Sequence, residues 1–349
     1  MGLFRSAGGV GLELDTGIIR AVELRGTARN ALPLAAGQVE IPVEAVVEGV
    51  VTDGGAVSEA LSRLWEIAGI GTREVVLGVA NQGVLMRMAT FPKILEKKLS
   101  QTLQYQAADY FPLPMEQMVL DFSVTGETTG QSGPVLEVLL IAARRDMLEK
   151  NIGAVVEAGL EPKVVDASAL ALTRMLSGVY LSRTVLLADI SNGLTTLVLA
   201  SGGVPRFSRV LSHSLQLFAR EINLTLAGAL ETEMLVAASA ADDVPQTRPG
   251  GGGIPGQWGI VLANEIRSSI GYYQTQPGAD AVESVLLSGR GSRIAGLAAM
   301  LQEMLELPVE LLATGNRVGG VKKLRGIAAE QDIQDFALCT GLALRGLEA

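Results

Sequence analysis

A chain of 349 residues spans about two ordinary domains at roughly 100–200 residues each, and its 48% hydrophobic content with 41 glycines builds an aliphatic core rather than a disordered segment. A net charge of −9 argues against a nucleic-acid footprint. One cysteine, Cys339, and one histidine, His213, exclude a disulfide framework and cysteine-rich or multi-histidine metal centres.

The apolar run over 184–204 is broken by Asp189, Asn192 and several glycines, short of the ~18–20 residues of a spanning helix. Residues 1–10 carry too little apolar sequence for a signal peptide. The expectation is therefore no direct membrane insertion.

Residues 11–24 (GLELDTGIIRAVEL) predict two strands around a turn at Asp15-Thr16-Gly17. A third β segment near 37–41 precedes a helix over 57–69, then strands over 75–80 and 85–91. A helix over 93–110 is stopped by Phe111-Pro112-Leu113-Pro114, and strands follow over 119–125 and 136–144. Next come a helix over 146–158, a strand over 163–166 and a small-residue helix over 167–177. The opening pattern then returns: strands over 185–190 and 194–200 flank a turn at Ser191-Asn192-Gly193. Residues 215–241 read as helical, 242–257 as a Gly/Pro-rich loop, and 261–273 as a helix. A strand over 284–288, a helix over 295–305 and a closing helix over 334–347 complete the chain.

Aligned acid to acid and glycine to glycine, Glu13-Leu-Asp15-Thr16-Gly17 matches Asp189-Ile-Ser191-Asn192-Gly193 at about half the chain's length. That spacing indicates an internal domain duplication. Glycine-containing turns present backbone N–H groups to phosphate oxygens, and a carboxylate at the strand end holds Mg²⁺ through its water shell. Each turn alone also reads as an ordinary hairpin. A third segment, Ser288-Gly289-Arg290-Gly291-Ser292, runs from a strand into a glycine-rich turn against which an adenosine can lie, although it lacks the full G-x-G-x-x-G spacing.

The order of first acidic turn, insertion, second acidic turn, second insertion and glycine-rich turn resembles the actin/Hsp70/sugar-kinase ATPase fold. Within it, the segments 11–24, 104–124, 164–175, 186–199, 286–301 and 336–348 resemble the PilM family of actin-like type IV pilus assembly proteins, relatives of FtsA. The resemblance implies an α/β actin-like fold with two duplicated domains facing a nucleotide cleft, each with an inserted subdomain. The expected boundaries are 1–92 with 155–183 for the first domain and 93–154 for its insertion. The second domain takes 184–213 with 285–349, and its insertion 214–284.

By motif, Glu13, Asp15, Thr16, Gly17 and Arg20 fall on the first phosphate turn. Asp189, Ser191, Asn192, Gly193 and Thr195 fall on the second, with Gly193 expected at positive φ. Gly289, Arg290, Gly291 and Ser292 fall on the adenosine turn; Arg267, on the helix before the adenosine strand, reads either as reaching the base or, the preferred reading, as a surface salt bridge. The implied cofactors are ATP and Mg²⁺, the metal held through water by Glu13, Asp189 and Asp166. Gly341 is expected where two connecting helices cross closely. Three departures weaken hydrolysis: Glu13 replaces an aspartate, and Asp15 and Ser191 each replace a glycine of the pattern. A slow or absent ATPase is expected.

The resemblance also implies a partner: the N-terminal cytoplasmic tail of a bitopic inner-membrane protein (PilN-like), bound between the first domain and its insertion, with other platform proteins of the pilus nearby. The protein would then be cytoplasmic and peripheral at the inner membrane. The run Tyr105–Leu113, with Tyr110–Pro114 as a wall, is the expected groove. The alternatives are an FtsA-like polymerising division protein and an actin-fold small-molecule kinase. The first is disfavoured by the ending at Leu347-Glu348-Ala349, directly after the closing helix, and the second by the lack of a general-base motif. His213 is read as a turn or surface residue, and Cys339, Trp65 and Trp258 as packing residues.

Overall fold

The computed structural model describes residues 8–130, 133–231, 254–318 and 335–348. The chain opens with β1 (Gly8–Asp15), β2 (Ile18–Thr27), β3 (Asn30–Glu40), a small hairpin of β4 (Val46–Val47) and β5 (Val50–Val51), α1 (Gly54–Ala68) and β6 (Glu74–Val79). It continues through β7 (Leu85–Pro92), α2 (Glu96–Tyr110), β8 (Met118–Gly130), β9 (Gly133–Arg144), α3 (Arg145–Glu157), β10 (Glu161–Ala167) and α4 (Ser168–Arg174). The second half holds β11 (Thr184–Ile190), β12 (Thr195–Ser201), β13 (Val204–Leu211), α5 (Leu215–Glu221) and α6 (Leu226–Leu230). After α7 (Ile254–Gln274) come β14 (Ser284–Ser288), α8 (Leu297–Leu305), β15 (Val309–Leu311) and α9 (Ala337–Gly346).

Two five-stranded sheets carry the architecture, ordered β10-β6-β1-β2-β3 and β13-β12-β11-β14-β15. Numbered within its own half, each sheet reads third-second-first-fourth-fifth. The first three strands are antiparallel and the remaining pairings parallel. The duplication suggested by two matched turns is thus a duplication of whole sheets. All seven residues of β11 are buried, the continuous pattern of a strand covered on both faces. On one face of the first sheet lies α1, which buries Val57, Ala60, Leu61, Leu64 and Ala68 at helical spacing. The Asp53 side chain caps its start by accepting from the Ala56 N–H at 3.0 Å, and Gly69 ends it at φ 63. Between the two sheets, α4 and α9 pack on one another.

Three sequence boundaries move. β7 pairs with β9, and β9 with β8, so β7 belongs to the inserted three-stranded sheet rather than to the first domain. α3 packs on α1 and β10, returning to the first domain earlier than expected. The insertion therefore runs from 85 to 144, not from 93 to 154. Its core packs Phe91, Leu99, Leu103, Phe111, Val138 and Leu140 together, so Phe111 is interior and not a groove wall. In the second half, the helix expected over 215–241 breaks after α5, where Asn223 takes φ 55. Residues 232–253, including most of the expected Gly/Pro loop, and 334 of the closing helix lie outside the described residues. Among those described, no helix is long and apolar enough to cross a membrane.

Candidate functional site

The ends of β1 and β11 bring the two acidic turns into contact. In the first turn, Gly17 takes φ 75, the left-handed conformation that glycine adopts without strain. Thr16 donates its hydroxyl to the Val46 carbonyl at 3.0 Å, anchoring the turn to the small hairpin. The second turn closes when the Ser191 N–H donates to the Leu194 carbonyl at 2.9 Å. The Asn192 side-chain amide then reaches across and donates to the Thr16 carbonyl at 2.9 Å. The backbone N–H groups of Asn192 and Gly193 both donate to the Asp15 carboxylate, at 2.8 and 2.9 Å. Gly193 is not among the positive-φ glycines, contrary to expectation. It is small because a Cβ there would stand 2.9 Å from the Thr16 Cβ.

Charge concentrates below the turns. Glu13 and Arg20 are register partners on β1 and β2, so the hairpin itself aligns them. Arg20 Nη1 lies 3.4 Å from Glu13 Oε2 and 3.7 Å from Asp15 Oδ2, with all three residues buried. Burial raises the Glu13 carboxyl to about 7, against the opposing pull of Arg20. Asp189 is also pushed up by burial, although the Ser288 and Ser191 hydroxyls donate to it at 2.7 and 2.8 Å. Cys339 is buried as expected but does more than pack. Its thiol lies 3.5 Å from Glu13 Oε2, and burial followed by the Glu13 charge raises it well above the ordinary range.

The third turn joins the other two. Gly289, at φ 75, and Gly291 both press on Ile190 at the end of β11, where a Cβ on Gly289 would sit 2.6 Å from the Ile190 carbonyl oxygen. The Ser292 hydroxyl donates to the Gly289 carbonyl at 2.7 Å. Arg290 Nη1 reaches Asn192 Oδ1 at 3.5 Å, and its Nε lies 3.9 Å from Asp335. Asp335 also pairs with Arg293 at 3.1 Å. Asp335 is a member of this cluster that the sequence reading missed, as is the role of Ser288 as a donor to Asp189. A hydroxyl ending the buried strand Ser284–Ser288 was the available signal for the latter.

Three expected site residues lie elsewhere. Asp166 is paired with Arg174, which also approaches Glu348 at 3.7 Å, so it does not join Glu13 and Asp189. Arg267 donates to Asn264 at 2.8 Å and to the Met304 carbonyl of α8, and no turn residue is among these partners. Thr195 donates its hydroxyl to the His213 carbonyl. His213 is neither a turn nor a fully surface residue. It stacks on Trp258 at 4.6 Å, donates its Nε2–H to the Trp258 carbonyl at 2.9 Å, and has its pKa lowered by burial.

Whether these turns fit Mg²⁺-ATP is a question of space and free donors. Glu13, Asp15, Asp189 and Ser191 line one cavity of about 30 Å³, room for a water molecule and not for a triphosphate. The two amides of the second turn that would meet phosphate already have an anionic acceptor. Arg20 Nε and Nη2 are the buried donors in this cluster without a partner among the described residues. In this closed arrangement the residues present do not fit the nucleotide.

Comparison with known proteins agrees with the architecture. The family model described as type IV pilus assembly protein PilM matches residues 11–347. A solved PilM-PilN type IV pilus biogenesis complex is similar at 26% identity and TM-score 0.77, covering 98% of this chain and 99% of that one. The ethanolamine utilization protein EutJ from Carboxydothermus hydrogenoformans matches at 13% identity and TM-score 0.53, over 97% of this chain and 89% of its own. A MamK double helical filament matches at 14% identity and TM-score 0.50, over 98% and 99%. With its two duplicated five-stranded sheets and facing turns, the fold is that of the actin-like ATPases, and the chain belongs to the PilM family of type IV pilus assembly proteins.

Proposed function

We propose that the chain is a scaffold of type IV pilus assembly, held at the cytoplasmic face of the inner membrane by the N-terminal tail of a bitopic PilN-like protein. The family match and the likeness to a PilM-PilN complex support this reading over a division filament or a small-molecule kinase. ATP and Mg²⁺, the ligands that the family resemblance implies, have no step in it, because the closed turns do not fit them.

The observation that carries the partner site is a cavity of about 610 Å³ where the inserted sheet meets α4 and the second half, whose Gly203, Pro205 and Arg317 also line it. One face of that sheet is covered by α2; from the other, Ser123, Thr125 and Leu139 look towards Leu170 and Leu176 across the cavity. β8 is an edge strand whose outer main-chain groups have no ladder partner among the described strands. An extended tail can add to such an edge while apolar side chains enter the cavity. This differs from the expected groove near Tyr105–Leu113 with Tyr110–Pro114 as its wall: Tyr110 lines a different cavity, and Phe111 is core. The charged lining of the 610 Å³ cavity is basic (Arg29, Arg174 and Arg317), so the overall net charge of −9 does not describe this face.

A fluorescent peptide of the PilN-like tail, titrated by anisotropy, tests the assignment. Leu170→Asp and Ser123→Arg are each expected to weaken binding at least tenfold, about 1.4 kcal/mol. Tyr105→Ala, on an exposed face of α2 away from the cavity lining, is expected to change nothing. Wild-type affinity in both cavity variants would place the tail elsewhere.

A further inference from the structure

We propose that Asp15 is an internal anion that latches the two halves of the molecule, standing on the amides that a phosphate would need, so that this chain holds its closed form without nucleotide. Three backbone N–H groups converge on the one carboxylate. Thr16 and Gly193 donate to Oδ1 at 2.8 and 2.9 Å, and Asn192 donates to Oδ2 at 2.8 Å. Two of these donors belong to the other half of the chain, 177 and 178 residues away. Convergent N–H groups on a glycine turn form a concavity suited to an anion, and hydrogen bonds to a carboxylate are stronger than neutral ones. A buried aspartate at this point therefore does for the turn what a phosphate oxygen would do.

The surroundings are built for that occupant. Arg20 supplies the countercharge at 3.7 Å from Oδ2. Asn192 ties the same two turns a second time through the Thr16 carbonyl, and Arg290 reaches Asn192 from the third turn. A Cβ built on Gly193 would stand 2.9 Å from the Thr16 Cβ, so the turns meet without an intervening layer. The residual cavity of about 30 Å³ leaves no place for the carboxylate and a phosphate together. A nucleotide could enter only after Asp15 had released both amides and the turns had separated.

The inference is independent of the partner site, whose test reads peptide binding alone. The decisive experiment uses the full chain, with isothermal titration of Mg²⁺-ATP and hydrogen exchange of the 191–194 turn. Wild type is expected to show no binding at millimolar Mg²⁺-ATP and to protect the Asn192 and Gly193 amides without nucleotide. Asp15→Asn keeps the side chain's shape but turns a donor towards the Asn192 N–H. It is expected to speed exchange at Asn192 and Gly193 at least tenfold while β11 stays protected. Micromolar binding of Mg²⁺-ATP by wild type would overturn the proposal, as would unchanged exchange in the variant. If Asp15→Asn does not fold, the wild-type measurements decide: binding, or unprotected amides, refutes the latch, and their absence upholds it.

Discussion

Replacing Arg20 by methionine is expected to lower stability by about 3–5 kcal/mol at pH 8, the cost of leaving buried carboxylates without their partner. Arg20 is buried between Glu13 and Asp15, and no other cation pairs with either carboxylate among the described residues. The loss should shrink at acid pH, and the sign follows from Glu13. Its folded value, about 7, stands above the ordinary 4.5, so the native state holds a proton that the unfolded chain releases. Glu13 therefore contributes stability that is complete below about pH 4.5 and is lost as the pH rises through about 7. At pH 5 the carboxyl is already neutral in the wild type, and the Arg20–Glu13 attraction is absent there too. Only the Asp15 pairing remains to be lost. Urea denaturation at pH 5 and pH 8 is expected to give a penalty at least about 1 kcal/mol smaller at pH 5. Equal penalties at the two pH values would show that Glu13 does not change its charge between pH 5 and pH 8, which overturns this account.

What the sequence could disclose about this fold followed local signals. Apolar strand, acid, glycine turn and second strand recur at half the chain's length, and that pattern found both hairpins and the duplication. The strand Ser284–Ser288 was placed to the residue because five apolar or small residues run between Glu283 and the glycine turn that opens at Gly289. Failures came where the deciding partner was remote. Pro92 looked like a domain boundary, whereas β7 is assigned by its ladder with β9, some fifty residues on, and no local residue announces that pairing. The helix expected over 215–241 fails at Asn223, one of the few non-glycine residues that reach positive φ.

The candidate site was half legible for the same reason. Spacing identified the three turns, and the structure brings them together around Asn192. The meaning of Asp15 was not legible. In the sequence it is a like charge misplaced beside phosphate; in the structure its two oxygens are acceptors for a turn in the other half. Asp166 and Arg267 looked available only because their partners, Arg174 and the Met304 carbonyl, cannot be read from a motif.

The junction between the two halves makes the second large prediction. Gly341 lies in α9, where a Cβ would overlap the Ala171 carbonyl oxygen of α4 and stand 2.6 Å from its carbonyl carbon. Both neighbours are backbone atoms within helices, so no side-chain rotation relieves the clash. The helices would have to part, opening a core that includes Leu172, Leu338, Leu342 and Val198. Gly341→Ala raises intrinsic helix propensity by about 1 kcal/mol, so a neutral crossing would make the variant more stable. Overpacking costs typically 1–3 kcal/mol and more where backbone must shift. The expected net result is destabilisation by about 2–4 kcal/mol, and by more for Gly341→Val, whose branched side chain adds volume at the same point. Gly153→Ala in α3 is the internal control, since a Cβ there meets nothing within 4 Å. It should gain the propensity term alone. Thermal melts of the three variants separate the effects: a Gly341→Ala melting temperature at or above the wild type's would mean that α4 and α9 do not cross this closely.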